Sequence, residues 1–153
     1  MVIDELRISK LREYLMQNVI DVLIADRKYQ LNANMLSDNI NNYSLDKVPS
    51  SIESEKWIIG VQKCKEIYSF RSRMAYGQEI ITNLKSMGFF EQFEELIKTN
   101  NEKGILPDID NIERIECLNP GTMISNSDGK TAEFEIQIQI TYRRNINKQT
   151  ISL

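Results

Sequence analysis

Carboxylates in pairs are the first residues in this chain whose types could do chemistry. Glu94 with Glu95, and Glu133 with Glu135, could in principle do acid–base work. Both pairs fall on outward faces of their elements, where carboxylates are ordinarily just solvated, so neither is read as catalytic. A serine nucleophile needs a base beside it, and the chain has no histidine. The same absence removes the commonest metal ligand. Cys64 and Cys117 make neither a disulfide framework nor a metal site. Each stands in apolar, strand-like sequence and is expected to be a reduced, buried thiol. Asp108-Ile109-Asp110 suggests a calcium loop, but the other ligands of such a loop are missing and a turn after Pro107 accounts for it. The six glycines are scattered singly, so no phosphate-cradling loop is present. No catalytic, cofactor-binding or metal-ligating residue is assigned.

Two rows of polar residues remain. Lys65, Arg71 and Arg73 share one face of a strand. They form either a solvated sheet face or a patch that meets phosphates or a neighbouring subunit, since the arginine fork pairs well with carboxylates and phosphates. Glu133, Glu135, Gln137 and Gln139 form an equally regular row, solvent-facing or lining a wet seam between subunits.

The elements that position these residues follow from periodicity. Leu6, Leu11, Leu15, Val19 and Leu23 recur on one stripe and predict a helix over about 3–26, its second half the more buried. A short strand is possible around YQLNANML, ahead of a loop rich in Asn, Ser and Asp. Tyr43 to Val48 alternates as a strand closed by Pro49. Trp57, Ile59 and Val61 alternate as a buried strand face, with Gly60 as a bulge inside it. From Lys63 to Met74 a further strand puts Cys64, Tyr68 and Phe70 on its apolar face. Ile80, Ile81 and Leu84 form the apolar face of a helix that Gly88 stops. Phe89, Phe90, Phe93, Leu96 and Ile97 mark a second helix, acidic outside through Glu91, Glu94 and Glu95, and ended by Lys98 to Gly104. Strand character returns at Ile112, and Ser127-Asp128-Gly129-Lys130 makes a hairpin turn. Ala132 to Arg143 then alternates strictly, which predicts a long strand with one buried and one wet face. The expected class is α+β: a mostly antiparallel sheet with a long C-terminal hairpin, packed against an N-terminal helix and a central helix pair. A single domain spans 1–153, with a frayed tail over 145–153.

Bulk composition narrows the function classes. The 41% hydrophobic and 27% charged content is that of a globular chain, not a disordered one. A net charge of −3 argues against a dedicated nucleic-acid binder. No apolar run approaches the roughly 20 residues of a membrane helix. The charged start MVIDELRISKLREYL is unlike a signal peptide, so a cytoplasmic site of assembly is expected.

Laid out in this order, the chain resembles a family of small phage proteins, the minor capsid or tail terminator (tail completion) proteins of long-tailed phages and phage-tail-like particles. The residues that carry the resemblance are YSFRSRMAYG (Tyr68 to Gly77), MGFFEQFEELI (Met87 to Ile97), LPDI (Leu106 to Ile109), the turn from Leu118 to Thr122, and SDGKTAEFEIQIQITY (Ser127 to Tyr142), with YSLDKVPS further upstream. The likeness covers about the last two-thirds of the chain and lies in the order and spacing of segments, not in a catalytic motif. It implies a non-enzymatic virion component without cofactors. Such a protein caps the tail tube as a hexameric ring, stops its polymerisation and presents the surface that meets the head. The partners implied are other copies of the chain, the tail tube protein, a head–tail connector or neck protein and a sheath, with DNA only passing through the ring and no membrane. The location implied is the virion tail end, after assembly in the host cytoplasm. A neck or head-completion protein, a stand-alone ligand-binding or enzymatic α+β domain, and a DNA-contacting regulator are the alternatives. The outward residues Arg71, Arg73, Glu91, Glu94 and Glu95 are the candidate subunit interface, being free to meet a neighbour.

Overall fold

The computed structural model describes residues 2–24, 30–33, 36, 42–49, 53–58, 60–77, 80–125 and 130–145. Among them one seven-stranded sheet carries helices on one face, an α+β architecture in which every strand pairing but one is antiparallel. Its spine is a pair of 15-residue strands, β4 (Val61–Ala75) and β7 (Thr131–Asn145), joined antiparallel over their whole length from Val61↔Asn145 to Ala75↔Thr131. On the free edge of β4 lie β2 (Asn42–Lys47) and β3 (Glu53–Ile58), and β1 (Gln30–Ala33) runs parallel outside β2. On the free edge of β7 lie β5 (Ile112–Cys117) and β6 (Thr122–Ser125).

The strict alternation of β7 explains this spine. Ala132, Phe134, Ile136, Ile138, Ile140 and Tyr142 are all buried against the helices, and their register partners on β4 supply Cys64, Tyr68, Phe70 and Met74. The long partner of β7 is therefore β4, and its hairpin neighbour β6 contributes only four residues. The predicted turn at Ser127 to Lys130 falls mostly outside the described residues, as does the tail beyond Asn145. Gly60 is not a bulge within one strand. It sits at φ +90° between β3 and β4, where Ile58 faces Val61, and this left-handed conformation suits glycine in a tight hairpin connection. Ile59 and the Trp57 side chain lie outside the described residues.

The N-terminal segment starts with a 3-10 turn (Ile3–Glu5), continues as α1 (Arg7–Leu15), widens into π geometry over Met16–Ile20 and ends as α2 (Asp21–Leu23). Burial centres on its middle: Leu11, Tyr14, Leu15, Val19 and Ile20 are buried, while Leu23 is only partly so and Val22 is exposed.

The largest difference from expectation is α3 (Ile80–Glu102). One 23-residue helix stands where the glycine at 88 suggested two. Glycine in a helix interior costs about 1 kcal/mol relative to alanine, whereas burying a side chain such as Phe89 or Phe90 contributes about 1.5–3 kcal/mol. Both phenylalanines are buried immediately after the glycine, so packing outweighs propensity. Phe93 stacks on Phe70 of β4 at 4.8 Å and Phe90 lies 5.2 Å from Phe134 of β7, which fixes the helix across the spine. Ser86 Oγ donates to the Ala75 carbonyl at 2.6 Å, and Asn83 bonds both backbone groups of Gly77. The far end closes at Gly104, φ +74°, with Ile105 N donating to the Asn100 carbonyl at 2.8 Å.

Candidate interaction surfaces

The sheet face away from α3 carries the arginines. Register places Arg71 opposite Glu135 and Arg73 opposite Glu133, a complementary cross-strand arrangement. Arg71 is not free to meet a neighbour. Its guanidinium bridges Asp46 of β2 at 2.7 Å and Glu133 of β7 at 3.1 Å, with all three side chains largely covered. Arg73 donates to Thr131 Oγ1 at 3.3 Å. These contacts tie β2, β4 and β7 together across the polar face, and Ser44 Oγ adds a bond to Asp46 at 2.8 Å.

On the other layer, Glu91 and Glu95 of α3 are exposed and Glu94 is half-buried. Burial raises the Glu94 pKa, and the neighbouring carboxylates of Glu91 and Glu95 raise it further. Arg71 and Arg73 therefore lie on the opposite side of the sheet from Glu91, Glu94 and Glu95, and these two groups do not pair within one chain. The expectation that Leu84 is core is corrected. It is 61% exposed, because a continuous helix that buries Phe89, Phe90, Phe93 and Ile97 turns position 84 to the opposite side. The side chains of Ile80 and Ile81 lie outside the described residues. Met87, Met123 and Ile124 are about as open as Leu84, so the first half of α3 and the adjoining β6 expose a run of large apolar side chains. A groove lies on each flank of this half-helix. One, of about 530 Å³, is lined by Leu23, Ile24, Tyr43, Met74 and Phe89; the other, of about 310 Å³, by Tyr76, Phe90, Pro120 and Phe134.

The feature that sequence reasoning missed is Glu66. Its side chain is 1% exposed and sits on the core-facing side of β4, between Cys64 and Tyr68. Arg7 at the start of α1 donates from Nε to both carboxylate oxygens at 3.0 and 2.9 Å and approaches from Nη2 at 2.8 Å. Tyr68 and Tyr142 donate their hydroxyls at 2.8 and 2.9 Å, and the Arg7 guanidinium lies 4.9 Å from the centre of the Tyr142 ring. Burial pushes the Glu66 carboxyl up, but the bonds from Arg7, Tyr68 and Tyr142 outweigh it and hold the pKa below the usual glutamate value. Burial, and then the charge of Glu66, push both tyrosine hydroxyls well above their ordinary value. The signal was in the sequence: strict alternation puts residue 66 in phase with Cys64, Tyr68 and Phe70. This knot borders an open, polar cleft of about 1080 Å³ between Arg7, Lys10, Gln62, Asp108, Asn111 and Arg144. Lys10 pairs with Asp108 across it at 3.3 Å.

Cys64 is buried, Cys117 is half-buried, and both are thiols. Burial and then Glu94 and Glu116 push the Cys117 thiol up to about 12, which leaves it unreactive at neutral pH. Among the described residues no three Cys, Asp or Glu side chains gather as a metal site, and no helix is long and apolar enough to cross a membrane. Comparison with protein-family models and with curated proteins gives no match for the chain.

Proposed function

We propose that the chain is a non-enzymatic structural subunit that caps the tail tube of a phage or phage-tail-like particle, stops its polymerisation and forms the joining surface to the head as a hexameric ring. The observation that carries this reading is the exposed apolar surface around the first half of α3, where Leu84, Met87 and Met123 stand 45–61% open beside two grooves. Large apolar side chains grouped at a surface mark a face that another protein covers. Four of the segments behind the phage resemblance converge at the smaller groove. Tyr76 comes from the first, Met87, Phe90, Glu91 and Glu94 from the second, Pro120 and Gly121 from the turn, and Phe134 from the last. Copies of the chain and the tube protein are the partners, with a connector or neck protein and a sheath beyond them. The virion tail end is the location, reached by assembly in the host cytoplasm. Negative-stain microscopy of particles made without the chain tests the reading. Overlong tubes or tubes with open, headless ends are expected, and tails of normal fixed length with intact ends contradict it.

The cleft beside Arg7 favours a second reading, a ligand-binding domain. It is polar and open, unlike the mostly apolar, enclosing pockets that hold small molecules, so it ranks behind the first.

A further inference from the structure

The smaller groove beside α3 is a notch with a distinct chemistry. Tyr76, Phe90 and Phe134 form its aromatic floor, Met87 and Met123 its lips, and Glu91 and Glu94 stand on its rim. The notch stays open because of Gly121. A Cβ there would fall 2.5 Å from Phe90 Cγ, so the loop backbone lies directly on the ring and places no side chain over it. Methionine lips suit an adaptable apolar contact. Among the described residues no cation pairs with Glu91, Glu94 or Glu95. An occupant that fits is apolar and basic at once.

We propose that this notch receives residues 146–153 of a second copy of the chain, so that copies join head to tail. The proposal deepens the ring-subunit reading and rests on it. Charge and apolarity are complementary. The stretch from Ile136 to Leu153 has no Asp or Glu; within 146–153, Ile146, Ile151 and Leu153 are the apolar anchors and Lys148 the cation, with Arg143 and Arg144 just ahead of that segment. Arg144 is exposed where β7 ends. Geometry directs the segment to another copy. Phe134 pairs with Ser72 near one end of the spine, and Asn145 pairs with Val61 at the other. At about 3.3 Å per residue that separation is about 35 Å, while the eight residues after Asn145 span at most about 29 Å fully extended. Even fully extended, residues 146–153 would fall short of the notch of their own chain, which leaves a neighbour's notch as the one the proposal assigns to them. Notch and segment are different surfaces, so the contact is heterologous and closes into a ring when the rotation between copies permits.

A labelled peptide of residues 143–153 titrated with dilute full-length chain tests this by fluorescence anisotropy. The peptide is expected to bind, to bind more weakly as salt rises, and to lose about tenfold in affinity for a Glu91→Lys/Glu94→Lys chain. A Met87→Ser/Met123→Ser chain, uncharged at the lips, is expected to bind it more weakly as well. Both variants alter exposed or rim residues, and unchanged melting temperatures identify them as folded. No binding to the wild-type chain, or equal binding to wild type and both variants, overturns the proposal. Tail lengths in particles lacking the chain do not depend on this peptide, so the docking and the tail-capping reading fail separately.

Discussion

At Glu66 the alternation of β4 sets a carboxylate among Cys64, Tyr68 and Phe70, and the fold answers with three donors from three elements. Removing the acid leaves Arg7 and two tyrosine hydroxyls unpaired beside the core. Glu66→Ala is therefore expected to cost about 3 kcal/mol in urea unfolding, toward the lower end for a buried pair because Arg7 is partly wet. The pH dependence has a fixed sign. Because the folded pKa is lowered, the contribution is fully present above the ordinary glutamate value of 4.5 and is lost as pH falls through the lower folded value. Urea midpoints measured from neutral pH down to about pH 3 should show that loss in wild type and a flatter profile in Glu66→Gln. A wild-type profile no steeper than the variant's would contradict it. Arg71 belongs to the same scale. Sequence alone offers it to a neighbour, but its fork is already held between Asp46 and Glu133. Arg71→Glu puts three carboxylates together, and a loss of about 2 kcal/mol of monomer stability is expected, visible in thermal melts. An unchanged melting temperature would make Arg71 a free interface residue again.

Among elements, the two long strands were legible; the long helix was not, nor was β3, whose first residues from Glu53 read as a polar connector. Period two is a property of each residue against its neighbours, so β7 and most of β4 could be read from alternation alone. Whether a glycine ends a helix depends on the packing partners of the residues beyond it. At Gly88 the decision belongs to Phe70 and Phe134, more than ten residues away in either direction, onto which Phe93 and Phe90 pack. Splitting the helix also reset its phase, which is why Leu84 looked buried. Partner choice was hidden for a related reason: the turn signal at Asp128-Gly129 marks β6 as the hairpin mate of β7, but only the assembled sheet pairs β7 with β4. Two glycines make this testable. A Cβ at Gly88 would meet nothing within 4 Å, so Gly88→Ala should stabilise the helix by about 1 kcal/mol and raise the melting temperature by about 3 °C. A Cβ at Gly121 would press into Phe90, so Gly121→Ala should cost about 1–3 kcal/mol. Opposite signs for these two substitutions in one calorimetric series are the expected result.

At the scale of the whole molecule, the described residues present three dissimilar surfaces: a tied polar sheet face, an apolar and acidic helix layer, and the end of the spine with its cleft and the exposed Arg144. Surfaces of different character suit a subunit whose neighbours differ, as at the end of a tube. Of the five predicted interface residues, Glu91 and Glu94 border the notch, Glu95 is exposed nearby, and Arg71 and Arg73 are engaged within the sheet. The apolar part of that face was not visible in sequence, because Leu84 looks like core until the helix phase is known. If the α3 face ends the growth of a tail, its loss must show in tail length. The decisive experiment is the distribution of tail lengths in particles lacking the chain, complemented either by wild type or by a Leu84→Asp/Met87→Asp chain that keeps the wild-type melting temperature. A single sharp length is expected with wild type, and the double variant should give the same broad, overlong distribution as no chain at all. A sharp, normal length from the double variant, or from particles without any chain, would contradict a terminating role for this face.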